Sequence, residues 1–146
     1  MLRKRIQSEE RGFTLIELLV VILIIGILAA IAIPAFLGQQ KKAQDSAAKS
    51  MSRNAASAAA AYSTDQGGDY TGMDTAALVT IEPSLADAGG VTAVASVSGV
   101  SATGFTVGTT SKSGKHFNLT RSAGNTYRCE GATIATACAA ASTPKW

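Results

Sequence analysis

Arg11-Gly12-Phe13-Thr14-Leu15-Ile16-Glu17, continued by Leu18-Leu19-Val20-Val21-Ile22-Leu23-Ile24-Ile25-Gly26-Ile27-Leu28-Ala29-Ala30-Ile31-Ala32-Ile33-Pro34-Ala35-Phe36-Leu37, is the stretch on which the fold turns. From Leu18 to Leu37 there are 20 residues without a polar side chain. Wound as an α-helix at about 1.5 Å per residue, such a run spans about 30 Å, the thickness of a bilayer's hydrocarbon core. A helix also satisfies its own backbone polar groups, which lipid cannot. The run is apolar on every side, whereas the core helix of a soluble domain carries one apolar stripe. It therefore reads as a membrane segment. A secretory signal peptide is the competing reading, with Arg3-Lys4-Arg5 as its basic start and Ala30-Ile31-Ala32 as its cleavage site. Such peptides have apolar stretches of roughly 7–15 residues. Here the stretch is longer, Glu17 sits at its beginning, and Pro34 lies beside the cut.

Outward from the run, residues 1–12 carry Arg3, Lys4, Arg5 and Arg11 against Glu9 and Glu10. This basic leader favours a cytoplasmic N-terminus. Lys41, Lys42, Lys49 and Arg53 on the far side pull the other way, offset in part by Asp45. Gly12 has no side chain and leaves the backbone open to a peptidase at the membrane edge. Cutting after it removes the leader and creates an α-amino group on Phe13, cationic near neutral pH at a typical pKa of about 7.7–8. Glu17 lies four residues on, along the same helical face. A bare carboxylate at mid-membrane costs roughly 2.5–3.5 kcal/mol on insertion scales, and less near the interface. The amine of a neighbouring chain is a natural partner, and that pairing would set the axial register between subunits. Thr14-Leu15-Ile16-Glu17 also fits a capping box, in which Thr14 and Glu17 satisfy the first free N–H groups of a helix. The two readings are compatible.

The stretch Arg11-Gly12-Phe13-Thr14-Leu15-Ile16-Glu17-Leu18-Leu19-Val20-Val21 resembles the leader-peptidase signature of bacterial type IV prepilins, those with a class III leader peptide. The likeness to the type IV pilin and pseudopilin superfamily runs over about residues 8–55 and fades in the polar half of the helix. It implies cleavage between Gly12 and Phe13, N-methylation of Phe13, and a requirement for Glu17 in subunit addition through the Phe13 amine of a neighbour. It also implies helices bundled in a filament core, with C-terminal domains outside. The expected partners are further copies of the chain, a prepilin peptidase/methylase, an assembly platform with its ATPase, and the lipid of the cytoplasmic membrane. Neither a cofactor nor a specific nucleic acid is expected.

Gly26 and Pro34 are weak points in the apolar helix. Proline removes one backbone hydrogen bond and clashes with the carbonyl four residues back, here that of Ala30, and glycine lowers helix propensity. A membrane helix tolerates both. The resemblance adds that pilin helices bend here and can partly unwind on assembly. Beyond Leu37, the helix is expected to continue as an amphipathic segment over residues 38–63. Its narrow stripe is Ala43, Ala47, Met51, Ala55, Ala58 and Tyr62. Lys41, Lys42, Gln44, Asp45, Lys49 and Arg53 take the other faces, and read as solvated surface rather than a nucleic-acid patch.

Thr64-Asp65-Gln66-Gly67-Gly68-Asp69 ends the helix with turn chemistry. Residues 64–90 read as a connecting region, with a short helix near Asp74–Val79 capped by Asp74. Residues 91–146 read as a small antiparallel sheet. Its strands are placed at Val91–Val97, Gly104–Thr110, Lys115–Arg121 and Thr126–Cys129. Ser98-Gly99, Lys112-Ser113-Gly114 and Ser122-Ala123-Gly124-Asn125 are the turn signals between them. The fold class is thus α+β: a long N-terminal helix, transmembrane in its first half, packed on a small sheet.

Cys129 and Cys138 are the two cysteines. Zinc wants more ligands than these and the distant His116, and no Cys-x-x-Cys redox pair exists. Outside the cytoplasmic membrane, a disulfide closing a C-terminal loop is the economical reading over free thiols. Such a loop agrees with the pilin resemblance. His116, between Lys115 and Phe117, reads as a strand-surface residue. Asp65, Asp69 and Asp74 are too scattered for a calcium loop. Asn118-Leu119-Thr120 matches the N-glycosylation sequon, a short pattern common by chance.

Nearly half of the 146 residues are apolar (47%) and 16% are charged, for a net charge of +3. This is too apolar for a disordered chain and too poor in Lys and Arg for a committed nucleic-acid binder. With one His and no phosphate-loop or nucleophile-elbow motif, catalysis is the weakest candidate function. The expectation is a structural subunit, held in the membrane as a precursor and polymerised into an extracellular pilus. The alternatives are a pseudopilin of a secretion or DNA-uptake machine, and a secreted or single-span binding protein that never polymerises.

Overall fold

The computed structural model describes residues 12–86, 96–131, 133–139 and 146. It divides into two compact units, Met1–Gly38 and Gln39–Trp146, joined by a helix, α1, assigned from Leu15 to Asp65. In the first unit the described residues are that helix and the three residues before it. From Gly12 to Gly38 every side chain is exposed except that of Ala29, which is half-buried. Phe13 is 87% accessible and Ile31 73%. No part of the described chain covers this apolar surface, and the helix is long and apolar enough to cross a membrane. Helical assignment continues through Gly26 and Pro34.

In the second unit α1 buries Ala48, Met51, Ser52, Ala55, Ala58, Ala59 and Ser63. Met51, Ala55 and Ala58 belong to the expected stripe. Ala43 and Ala47 are instead exposed, and Tyr62 is half-buried. The true stripe is rotated slightly because two serines face inward. Ser52 Oγ lies 2.6 Å from Thr109 Oγ1 and donates to the Phe117 carbonyl at 3.0 Å. Thr109 Oγ1 in turn donates to the Ala48 carbonyl at 2.9 Å. These bonds satisfy polar groups in a dry interface, where an unpaired hydroxyl would cost about 1–3 kcal/mol. Small side chains on the helix let the sheet approach closely.

Gly67 and Gly68 stop α1 with φ of 69° and 97°, and the Gly68 N–H donates back to the Ser63 carbonyl at 2.6 Å. Glycine adopts this left-handed geometry without steric penalty. A short helix, α2, follows over Thr75–Ile81, with Asp74 as N-cap accepting from the Ala77 N–H at 2.8 Å. A 3-10 turn then occupies Pro83–Leu85.

The sheet is a four-stranded antiparallel meander in the order β1-β2-β3-β4: Ser96–Ser101, Gly104–Thr110, His116–Ser122 and Asn125–Gly131. The residues 91–95 expected to open the first strand lie outside the described part. Ser98-Gly99, expected as a turn, lies within β1. Gly99 has φ of 58°, and the pairing with β2 shifts register between Ser98 and Ser101. The glycine forms a bulge, and the chain reverses at Ala102-Thr103 instead.

β2 is buried along both faces except at its last residue. Phe105, Val107 and Thr109 alternate onto the helix side, where they join Phe117, Leu119, Leu78 and Leu85 in the core. The other face is covered by residues 133–139. Asn118 Nδ2 donates to the Thr133 carbonyl at 3.0 Å, and its Oδ1 accepts from the Ala135 N–H at 2.8 Å. The Cys138 N–H donates to Thr120 Oγ1 at 2.8 Å. A disulfide joins Cys129 to Cys138. Gly108 is required beneath this segment, because a Cβ there would run into the Ala135 nitrogen and Asn118 Oδ1.

Candidate assembly site

Gly12, Phe13 and Thr14 precede the first helical residue and are exposed, so the Gly12–Phe13 peptide lies outside the hydrogen-bonded helix. Thr14 is the N-cap of α1. Its backbone N–H donates to Glu17 Oε2 at 2.8 Å and its hydroxyl to the same oxygen at 2.7 Å. The Glu17 N–H returns a bond to Thr14 Oγ1 at 3.2 Å. This is a reciprocal capping box, and it fixes the carboxylate at the head of the helix. Both Thr14 donors converge on Oε2, and Oε1 accepts nothing among the described residues. A carboxylate has about four acceptor positions, so the cap leaves capacity for a cation from outside the chain. Phe13, Ile16, Glu17, Val20 and Val21 line one shallow, open groove. The capping box therefore forms within the single chain, while the site still presents a carboxylate oxygen in an apolar setting.

The other singled-out residues are placed as follows. Gly26 lies on the open apolar surface, and a Cβ there would meet nothing within 4 Å. Pro34 sits inside α1. His116 Nδ1 lies 2.9 Å from Thr110 Oγ1 on the half-buried start of β3. Asp69 accepts from the Thr71 N–H at 2.7 Å, a turn contact, and Asp74 accepts from the Ala77 N–H as the cap of α2. Among the described residues no group of three His, Cys, Asp or Glu converges. Asn118, which heads the chance sequon match, lies inside the fold. Its side chain is fully buried and bonded at both ends of the amide, so the folded chain does not offer it for glycosylation. Its part as anchor of the C-terminal segment had no sequence signal.

Comparison with known proteins bears on this N-terminal site. Residues 8–33 match the prokaryotic N-terminal methylation motif. The chain is 58% identical over 45 residues to the type IV major pilin protein PilA of Myxococcus xanthus, covering 31% of this chain and 20% of that one. It is 43% identical over 68 residues to a fimbrial protein of Neisseria meningitidis, covering 47% and 39%. It is also 49% identical over 39 residues to type II secretion system core protein G of Escherichia coli, covering 27% of each. The likeness to type IV pilins and to a secretion-system core protein thus lies in the N-terminal helix and the residues just before it. The matched stretches span less than half the length of these relatives, and no solved structure matches the chain significantly.

Proposed function

We propose that this chain is a structural, non-enzymatic pilin subunit, made as a membrane-held precursor and polymerised through α1 into an extracellular type IV pilus. In this reading a prepilin peptidase/methylase removes residues 1–12 and methylates the Phe13 amine. Residues 13–37 then serve first as the membrane anchor and later as the packing surface of a filament core. Glu17 takes the Phe13 amine of a neighbouring copy through its free oxygen, which sets the axial register. Gly26 and Pro34 allow the helix to open locally as the filament forms. An assembly platform and ATPase supply the work of extraction from the bilayer. Residues 38–146 form the outer layer.

One observation carries the reading: the exposed apolar segment from Phe13 to Leu37, whose only charged side chain is the Glu17 carboxylate near its head, directly after a Gly-Phe peptide. A simple anchor needs the apolar run and uses Glu17 only in the capping box, which leaves Oε1 without a partner among the described residues. The test is Glu17→Ala in the full chain. The expected outcome is a precursor that is cleaved and membrane-held, with filaments in the sheared fraction falling by about tenfold or more, as for loss of one partner of a desolvated charge pair. Normal filament yield would contradict the pairing role.

A pseudopilin is the second reading, favoured by the similarity to the secretion-system core protein. It predicts that the processed chain stays with the membrane fraction and builds no abundant surface filament.

A further inference from the structure

Charge is segregated along this chain. Residues 54–111 hold five acidic side chains and no Lys or Arg, whereas residues 39–53 and 112–146 together hold nine basic and two acidic ones. Part of the basic set is gathered on the β4 side of the sheet by two aromatic rings. Phe117 and Trp146 pack edge to face at 5.9 Å, and Trp146 Nε1 donates to the Cys129 carbonyl at 2.9 Å. The Arg53 and Arg128 guanidiniums lie 5.3 and 5.7 Å from the Trp146 ring centre, and the Lys49 ammonium 5.0 Å from that of Phe117. Of the two acidic residues in the basic segments, Glu130 is paired with Lys115 at 3.0 Å and Asp45 is bonded to the Ser113 hydroxyl. Among the described residues, no carboxylate pairs with Lys49, Arg53 or Arg128. Ring faces attract these cations but do not cancel the repulsion between two guanidiniums on one indole. An external anion does.

Three of the acidic residues are held by local bonds as well. Asp69, Asp74 and Glu82 each accept a backbone N–H within their turn or cap, which orients the carboxylates and leaves lone pairs free. Asp65 stands exposed in the last turn of α1. Among the described residues no ion pair joins Lys49, Arg53 or Arg128 to Asp65, Asp69, Asp74 or Glu82. Basic and acidic groups carried on different parts of one molecule suit a heterologous contact, in which two unlike surfaces of neighbouring copies meet. Repeated from copy to copy, such a contact builds an open array rather than a closed dimer.

We infer that the Lys49–Arg53–Arg128 patch around Trp146 docks on the acidic 65–82 segment of the next copy of this chain. This contact rests on the filament reading and adds to it a surface interface that selects and orients the incoming subunit, as complementary charge does elsewhere.

The test uses full-length chains in cells. One carries Arg53→Glu with Arg128→Glu, a second carries Asp65→Lys with Glu82→Lys, and a third carries all four. Filaments are read in the sheared fraction, and processed, disulfide-closed subunit is read by mass in the membrane fraction. Each double reversal should cut filament yield by about tenfold, since like charges then face each other, and the quadruple variant should recover most of it. If a reversed chain fails to form its disulfide, Arg53→Gln with Arg128→Gln tests the same patch without adding charge. Normal yield from the double reversals overturns the contact while leaving the filament reading intact. Loss without recovery in a folded quadruple variant overturns the second copy as occupant and points to another polyanion. Absence of the unaltered chain from the sheared fraction overturns the filament reading and this contact with it.

Discussion

Ala123 and Gly124 close the hairpin between β3 and β4 with φ of 48° and 80°, and Ser122 pairs with Asn125 on either side. Two left-handed residues in a two-residue loop define the turn that matches the strand twist, and Asn-Gly is its preferred sequence. Alanine pays a steric penalty at the first position that asparagine largely avoids. Ala123→Asn should therefore raise the unfolding free energy of the detergent-solubilised chain by about 0.5–1 kcal/mol, read as a higher thermal midpoint. An unchanged midpoint would mean that the turn relaxes in solution. The capping box was legible in the sequence at this scale because Thr14 and Glu17 are three apart, a local relation. Asn118 was not, because its partners Thr133 and Ala135 are 15 and 17 residues away. Ser52 faces inward for a similar long-range reason, its contact with Thr109 spanning 57 residues.

Gly108 and the segment over it belong to the scale of elements. A methyl at that position meets the Ala135 backbone and the Asn118 amide, neither of which can move without breaking the bonds that hold residues 133–139 to the sheet. Gly108→Ala should cost about 1–3 kcal/mol, the usual range for overpacking, and hydrogen exchange at Ala135 and Cys138 should accelerate. If exchange at those amides is unaffected, the segment is not held as described. Breaking the Cys129–Cys138 bridge with Cys138→Ser should cost about 2–3 kcal/mol in the chain-entropy model, measured by denaturant unfolding. Periodicity and turn residues placed α1, α2 and three of the strands closely. The first strand was misjudged because Ser98-Gly99 reads as a turn, whereas the same glycine serves a bulge. Sequence spacing does not distinguish the two uses of a left-handed residue. Coverage of the outer sheet face was also missed, since Gly108 and Thr120 on that face lie under a segment with no regular structure.

For the whole molecule, the governing fact is a mismatch between the two units. The second buries its apolar side chains between helix, sheet and C-terminal segment. The first leaves Phe13 to Leu37 bare. At about 25 cal/mol per Å², that surface must be covered by lipid, by other helices, or by each in turn, and in the proposed reading cleavage of the Gly12–Phe13 peptide begins the change between those states. The account is tested most directly on the chain in sheared, pelleted material from native cells, by its intact mass and first residue. A chain beginning at methylated Phe13 in that pellet is the predicted result. A chain beginning at Met1, or a soluble one beginning at Ile33, would contradict it.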